Sequence, residues 1–262
     1  MRLATGRLDA VIPRWCASIV LVTVAFAPSL ETRNALPEVL STVVATYAAL
    51  HSYTDTGSIR VEVPGIVDEA RFITRFRRAS GDLYFEYQAL TSTNPETKFT
   101  IDMRQQRTVL WMSGSQMQKF DFASRTHELV PPGAGQVRAL QALTHPTHGT
   151  SILVPSLLYP KAQLPSAVLQ LESANVVGTE MVGSRRCQKL AGVAAARYPS
   201  GQRTGARDVT IWIDVESSLI RKVFEDTPES YAPGAYQRTT ITIDPQANPA
   251  LPDDAFTFTP PA

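Results

Sequence analysis

The chain has 262 residues, 44% of them hydrophobic, with 19 Pro, 14 Gly and 2 Cys, a composition that excludes a disordered, collagen-like or disulfide-scaffold protein. Its 25 Lys and Arg balance 24 Asp and Glu, so no strong net field is present to hold nucleic acid or an anionic surface, and no nucleic-acid partner is expected.

Arg2, Arg7 and Arg14 precede an uninterrupted run of apolar and small residues from Trp15 to Ala27. These residues are too few for the roughly 20 that a bilayer-spanning helix requires, and the run ends Ala25-Phe26-Ala27, a small-x-small cleavage pattern. Residues 1–27 are expected to be an export signal peptide cleaved near Ala27, with an uncleaved signal anchor as the alternative. Residues 28–262 are expected to form a single domain. Removing the signal takes three Arg and one Asp, leaving 22 basic and 23 acidic side chains. Cys187 is then the remaining cysteine, so no internal disulfide is expected, and a lone thiol is most often a small buried hydrophobe.

The first strong period in the exported part is Leu36, Val39, Leu40, Val43, Val44, Tyr47 and Leu50, one stripe of a helix over residues 36–50, with Asn34 as its cap and the polar cluster 51–57 as its end. The period then changes to two. Ile59/Val61/Val63, Phe72/Thr74/Phe76, Leu83/Phe85/Tyr87 and Phe99/Ile101/Met103 read as antiparallel strands joined by short turns, followed by strand-like stretches at 107–112, 117–122 and 127–130. None is separated by enough chain for a crossover helix, which disfavours parallel-sheet enzyme folds.

Pro131-Pro132-Gly133 breaks the pattern, and 136–144 with 151–159 read as short helices and loops. Alternation resumes at 176–182, 186–193, 209–215, 219–225 and 239–244, and Phe256-Thr257-Phe258 reads as a final short strand. About ten strands with one apolar face, and few helices to cover them, point to a sheet curved around those helices. Arg75 and Arg77 would then face water on the convex side. A concave face that its helices fill incompletely is an apolar cavity suited to a hydrophobic ligand.

Four landmarks carry a family resemblance: the export signal followed by an amphipathic helix; Phe76-Arg77-Arg78 before Leu83-Tyr84-Phe85-Glu86-Tyr87; Thr108-Val109-Leu110-Trp111; and the terminal Phe256-Thr257-Phe258-Thr259-Pro260-Pro261. In these the chain resembles the outer-membrane lipoprotein carrier superfamily of the bacterial periplasm. Through Ile211-Trp212-Ile213-Asp214 it is similar to predicted periplasmic relatives of that superfamily.

The resemblance implies a mainly β, α+β fold: an unclosed curved antiparallel barrel with an N-terminal helix and a short helical lid over its concave face. It implies a periplasmic monomer that carries a lipid or the acyl chains of a lipoprotein in an apolar cavity, without enzymatic activity or cofactor. The cavity candidates are Phe72, Phe76, Leu83, Phe85, Tyr87, Phe99, Ile101, Val209, Ile211 and Ile213. In that family an arginine of an Arg-Pro pair bonds the lid; the matching position is Arg78, followed here by Ala79. Two alternatives stay open: an envelope-stress sensor or protein-interaction module on the same fold, with envelope membrane proteins as partners, and an unrecognised hydrolase.

Other chemistry-bearing residues favour plain readings. His145 and His148 have ligand spacing but no neighbouring Cys, Asp or Glu to complete a metal shell, so no metal is expected. Gly133-Ala134-Gly135 lacks the third glycine of a phosphate loop. Arg185 and Arg186 stand next to Cys187 and would activate its thiol if it were exposed. Asp253-Asp254 offers no resolvable acid and base pair.

Overall fold

A computed structural model describes residues 38–131, 133, 153–159, 171–197, 203–228 and 236–261. The chain divides into two units, Met1–Arg33 and Asn34–Ala262, and every described residue belongs to the second. The signal segment, Asn34, Leu36, residues 136–144, His145 and His148 lie outside the described residues.

The amphipathic stripe forms helix α1, Glu38–Ala49, which buries Leu40, Val43 and Tyr47. Seven strands follow: β1 (Ser52–Val63), β2 (Ile66–Arg77), β3 (Asp82–Thr93), β4 (Thr100–Asp102), β5 (Arg107–Ser113), β6 (Gln116–Asp121) and β7 (Thr126–Val130). Helix α2, Leu153–Leu158, precedes β8 (Leu171–Val182), β9 (Arg185–Arg197), β10 (Arg203–Asp214), β11 (Ile220–Pro228) and β12 (Tyr236–Ala247). Among the described residues all twelve strands join one antiparallel sheet in the order β7-β6-β5-β3-β2-β1-β12-β11-β10-β9-β8, with β4 paired to the far end of β3. Among the described residues the sheet does not close, and β7 and β8 are its edges.

Several strands reach further than apolar alternation indicates. β1 takes in most of the polar cluster expected to terminate the helix, because Tyr53 and Asp55 point inward while Thr56 and Ser58 face solvent. A buried aspartate is invisible to a hydrophobic period. Conversely, β4 shrinks to three exposed residues.

The concave face is one apolar cluster running from Val130 on β7, through Met117, Leu110, Phe85, Phe76 and Ile59, to Ile241, Val223, Ile211 and Leu190. Helices α1 and α2 pack on it through Leu40, Val43, Tyr47, Val154, Leu157 and Leu158. Close approach is required at Gly57, where a Cβ would collide with the Phe72 ring. Absence of a side chain there lets that ring lie across β1.

The convex face carries a second cluster of Tyr84, Val109, Trp111, Phe120 and Phe256. Its cover is the C-terminal segment, which corrects two expectations. Phe256-Thr257-Phe258 is not a strand; Asp253–Phe256 is a 3-10 helix packed on β2, β3 and β5, after which the chain lays Phe258 against Trp111 and Phe120. Arg75 and Arg77 do face the convex side, but they bond this segment instead of water: Arg75 donates to Ala255 O (3.0 Å), and Arg77 to Leu251 O (3.0 Å) and Asp253 (2.7 Å).

Candidate functional site

Of the ten cavity candidates, Phe72, Phe76, Leu83, Phe85, Tyr87, Val209, Ile211 and Ile213 lie in the concave cluster. β2 and β3 bring the aromatic ones together, pairing Phe72 with Tyr87 and Phe76 with Leu83; the Phe72 and Phe85 rings stack at 6.3 Å. Val209, Ile211 and Ile213 lie at the opposite wall, on β10. Phe99 and Ile101 are placed elsewhere, 64% and 49% exposed at the β4 end of the sheet. Alternation alone cannot separate them from the lining, since it reports facing and not depth.

Arg78 fastens the cover. Its Nε donates to Leu50 O (2.7 Å) and a terminal nitrogen to Tyr47 O (2.9 Å), so the guanidinium bonds a carbonyl in the last turn of α1, which also accepts the Leu50 N–H (3.4 Å), and the carbonyl just beyond the helix. Its charge also favours the negative helix terminus. The same guanidinium lies 5.0 Å over the Phe76 ring, and Phe76 meets Tyr159, just after α2, edge-on at 5.2 Å. Tyr159 in turn donates to Gly81 O (3.3 Å). The β2–β3 turn thus ties both helices to the sheet.

Beneath α1 sits a buried polar group that sequence reasoning missed. Asp55 accepts from Tyr53 Oη (2.8 Å) and from the Thr74 N–H (2.9 Å). Burial raises its carboxyl to about 7 against the pull of these bonds. Tyr47 packs on Tyr53 with the rings tilted, centroids 5.6 Å apart, and its hydroxyl accepts the Ile220 N–H. Burial raises both phenols well above the ordinary tyrosine range.

Both tryptophans whose facing the sequence leaves open point to the convex side. Trp111 stacks on His127 at 5.5 Å and touches Phe258. Trp212 lies between the Lys189 and Lys222 ammonium groups, at 5.1 and 4.6 Å, and donates to Glu180 (3.0 Å). Cys187 is buried, and burial lifts its thiol instead of activating it; the charge of Asp214 acts in the same direction. Among the described residues no cluster of His, Cys, Asp and Glu could hold a metal.

Two clefts flank the β8–β9 hairpin. One of about 360 Å³ lies between α1 (Val39, Thr42) and Thr179, Gln188 and Ile213. Another of about 460 Å³ is lined by Arg185, Arg221 and Asp244. A bulge at the β10–β11 pairing shapes the second: Trp212 pairs with Lys222 and Ile213 with Ile220, leaving Arg221 as the extra residue. Its guanidinium bonds both Asp214 (3.1 Å) and Asp244 (2.8 Å).

No curated protein matches the chain. Among solved structures it is similar to LprF from Mycobacterium bovis, at 14% identity and TM-score 0.43, covering 79% of this chain and 90% of that one. It is similar to the lipoprotein LppX of Mycobacterium tuberculosis at 12% identity and TM-score 0.38, covering 78% and 94%. It is similar to a chain of the Pseudomonas aeruginosa MucA/MucB complex at 12% identity and TM-score 0.42, covering 84% of this chain and 60% of that one. One family model matches residues 84–262, more than half of the chain, and the protein therefore belongs to the family described as predicted periplasmic protein (DUF2092).

Proposed function

We propose that this protein is a periplasmic binding protein, acting as a carrier, which shelters the acyl chain of a lipid or lipid-modified partner between the concave face of its sheet and its helical cover. One observation carries the reading: an apolar face spans an open twelve-stranded sheet, while among the described residues the helices over it number two, of 12 and 6 residues. Polar bonds from Arg78, which can break and reform, fasten the longer one. The physical need is large, since each buried methylene is worth about 0.8 kcal/mol and a chain of some fourteen is held out of water by roughly 11 kcal/mol.

Organic extraction of protein purified from the periplasm, followed by mass spectrometry, tests the reading. Retained intact acyl lipid is the expected result; none retained, or its conversion to free acid during incubation, counts against a carrier. Arg78→Leu should speed release of bound lipid about tenfold or more, because the Tyr47 carbonyl of α1 and the Leu50 carbonyl just beyond it lose a charged donor. An unchanged off-rate removes Arg78 as the fastening.

A second reading, a protein-interaction module, rests on the edge strand β8, where Val176, Val177 and Met181 are 48%, 56% and 58% exposed. A long apolar edge is a template for pairing with another chain. Recovery of an envelope protein in a pull-down, lost in Val177→Lys, would favour it.

A further inference from the structure

The cleft between α1 and the β8–β9–β10 end of the sheet stands on directly neighbouring residues of the concave face. Thr179 pairs with Gln188 across β8 and β9, and Gln188 with Ile213 across β9 and β10. Two positions from Gln188 along β9 is Arg186, which pairs with Met181 and whose carbonyl accepts the Val215 N–H (3.0 Å). Residues paired across a ladder share a side of the sheet, as do residues two apart on a strand, so Thr179, Gln188 and Arg186 lie on the side of Ile213, a member of the concave cluster. Paired strands are about 4.8 Å apart and alternate residues about 6.6 Å apart, so these four side chains border one space. Val39 and Thr42, three apart and hence on one face of α1, complete its lining.

The floor of the cleft is apolar and continuous with the concave cluster, through Ile213, which belongs to that cluster, and Val39, which packs against it. Its other lining is polar: Thr42, Thr179, Gln188, Ser218 and Arg186. A site that is dry on one side and polar on the other matches an amphiphile. The ionisable residues of the lining are Arg186 and Asp214. Asp214 is already satisfied, by the Glu216 and Ser217 N–H groups and by Arg221. Arg186 is exposed and, among the described residues, has no carboxylate within ion-pair distance, unlike Arg185 beside it, which pairs with Glu216 (3.0 Å). The cleft therefore carries one uncompensated positive charge.

We propose that this cleft holds the anionic head of an acyl-bearing amphiphile: a phosphate or carboxylate accepts from the Arg186 guanidinium, with the Gln188 amide and Thr179 hydroxyl as further donors, and the tail passes Ile213 and Val39 into the concave cluster. The proposal rests on the acyl-binding reading above. A guanidinium suits such a head, since its N–H groups reach two oxygens at once. The preference comes from the site and not from the molecule's overall charge, because the exported part, with 22 basic and 23 acidic side chains, gives an anion no advantage. The position also suits the cover. Arg78 fastens α1 at its C-terminal end, whereas the cleft borders its N-terminal half, so a head seats here without disturbing those bonds.

Displacement of the neutral dye Nile red from delipidated protein tests this with three probes that share a dodecyl chain and differ in the head: dodecyl phosphate, 1-dodecanol and dodecyltrimethylammonium, each below its micelle threshold. Dodecyl phosphate should displace the dye at a concentration about fivefold or more below dodecanol, the scale of a charge-assisted hydrogen bond in a partly exposed site. The ammonium should be weakest. Arg186→Gln should erase the ratio and leave dodecanol within about twofold, and Arg186→Lys, which keeps the charge without the planar fork, should retain part of it. Thr42→Trp, at an exposed helix position, fills the cleft and should weaken dodecyl phosphate. Equal displacement by phosphate and alcohol from the unmodified protein, or a ratio that survives Arg186→Gln, overturns the head site and leaves acyl binding standing. Inorganic phosphate should displace no dye; displacement by it alone makes this a site for free anions and overturns the amphiphile. Failure of every dodecyl probe to displace the dye removes the acyl-binding reading and the head site with it.

Discussion

A carboxylate placed under a helix on an apolar face makes stability depend on pH in an unusual direction. Asp55 has its carboxyl raised from 3.8 to about 7 in the folded protein. The folded state then binds its proton more tightly than the unfolded chain, and stability falls as pH rises from about 4 to about 7. At about 1.4 kcal/mol per pH unit the loss is at most about 4 kcal/mol. Denaturant unfolding at pH 5 and pH 8 should show wild type weaker at pH 8, and Asp55→Asn should remove most of that difference. Equal midpoints for wild type at both pH values would mean that Asp55 keeps an ordinary affinity for its proton. No sequence signal marks this residue. Asp55 stands in a polar run that local propensity assigns to a loop, and only the inward turn of Tyr53 beside it, packed on Tyr47, shows that the run is strand.

At the level of elements, the helix and most strands were legible because each has one dry face, and the period of that face reports the backbone. The C-terminal segment was not. Phe256 and Phe258 alternate like a strand, yet they pair with none; they cover the convex cluster, where Arg77 also lies 4.8 Å over the Phe256 ring. What decides their conformation is a surface built by residues over a hundred positions earlier. Phe256→Ala should cost about 3–5 kcal/mol, the usual loss for a buried aromatic ring. Lipid off-rates should stay unchanged, because the ring lies on the opposite face from the proposed ligand. The Phe72–Phe85 lining could be read from sequence for the reason that Phe99 and Ile101 could not: depth within the sheet depends on which strands flank a residue, and β4 has a neighbour on one side.

For the molecule as a whole, the two edges of the sheet are unlike. β7 is five residues long, ends beside Pro131 and carries His127 and Glu128, the devices that discourage further pairing. β8 has twelve residues and no Lys, Arg or Pro, and its guards are Glu180 and two bulges against β9. With Val176, Val177 and Met181 exposed between them, this edge should make the protein associate when concentrated, and Val177→Lys should suppress this in light scattering; a wild-type protein monomeric at every concentration would mean that the edge is guarded well enough against its own copies.

The strand order also divides the sheet by sequence. Residues 52–130 build β7 to β1, residues 171–247 build β12 to β8, and the single ladder between these halves runs from Tyr53 opposite Ala247 to Glu62 opposite Arg238. Neither half borrows a strand from the other, so each can zip its own neighbouring hairpins before the distant seam is sewn, and slow closure of that seam should limit the folding rate. A backbone nicked between residues 131 and 171 should consequently remain a working pair of pieces. Produced as separate polypeptides in one cell, the two would be expected to co-purify, stitched along β1 and β12 and clasped from behind by the tail.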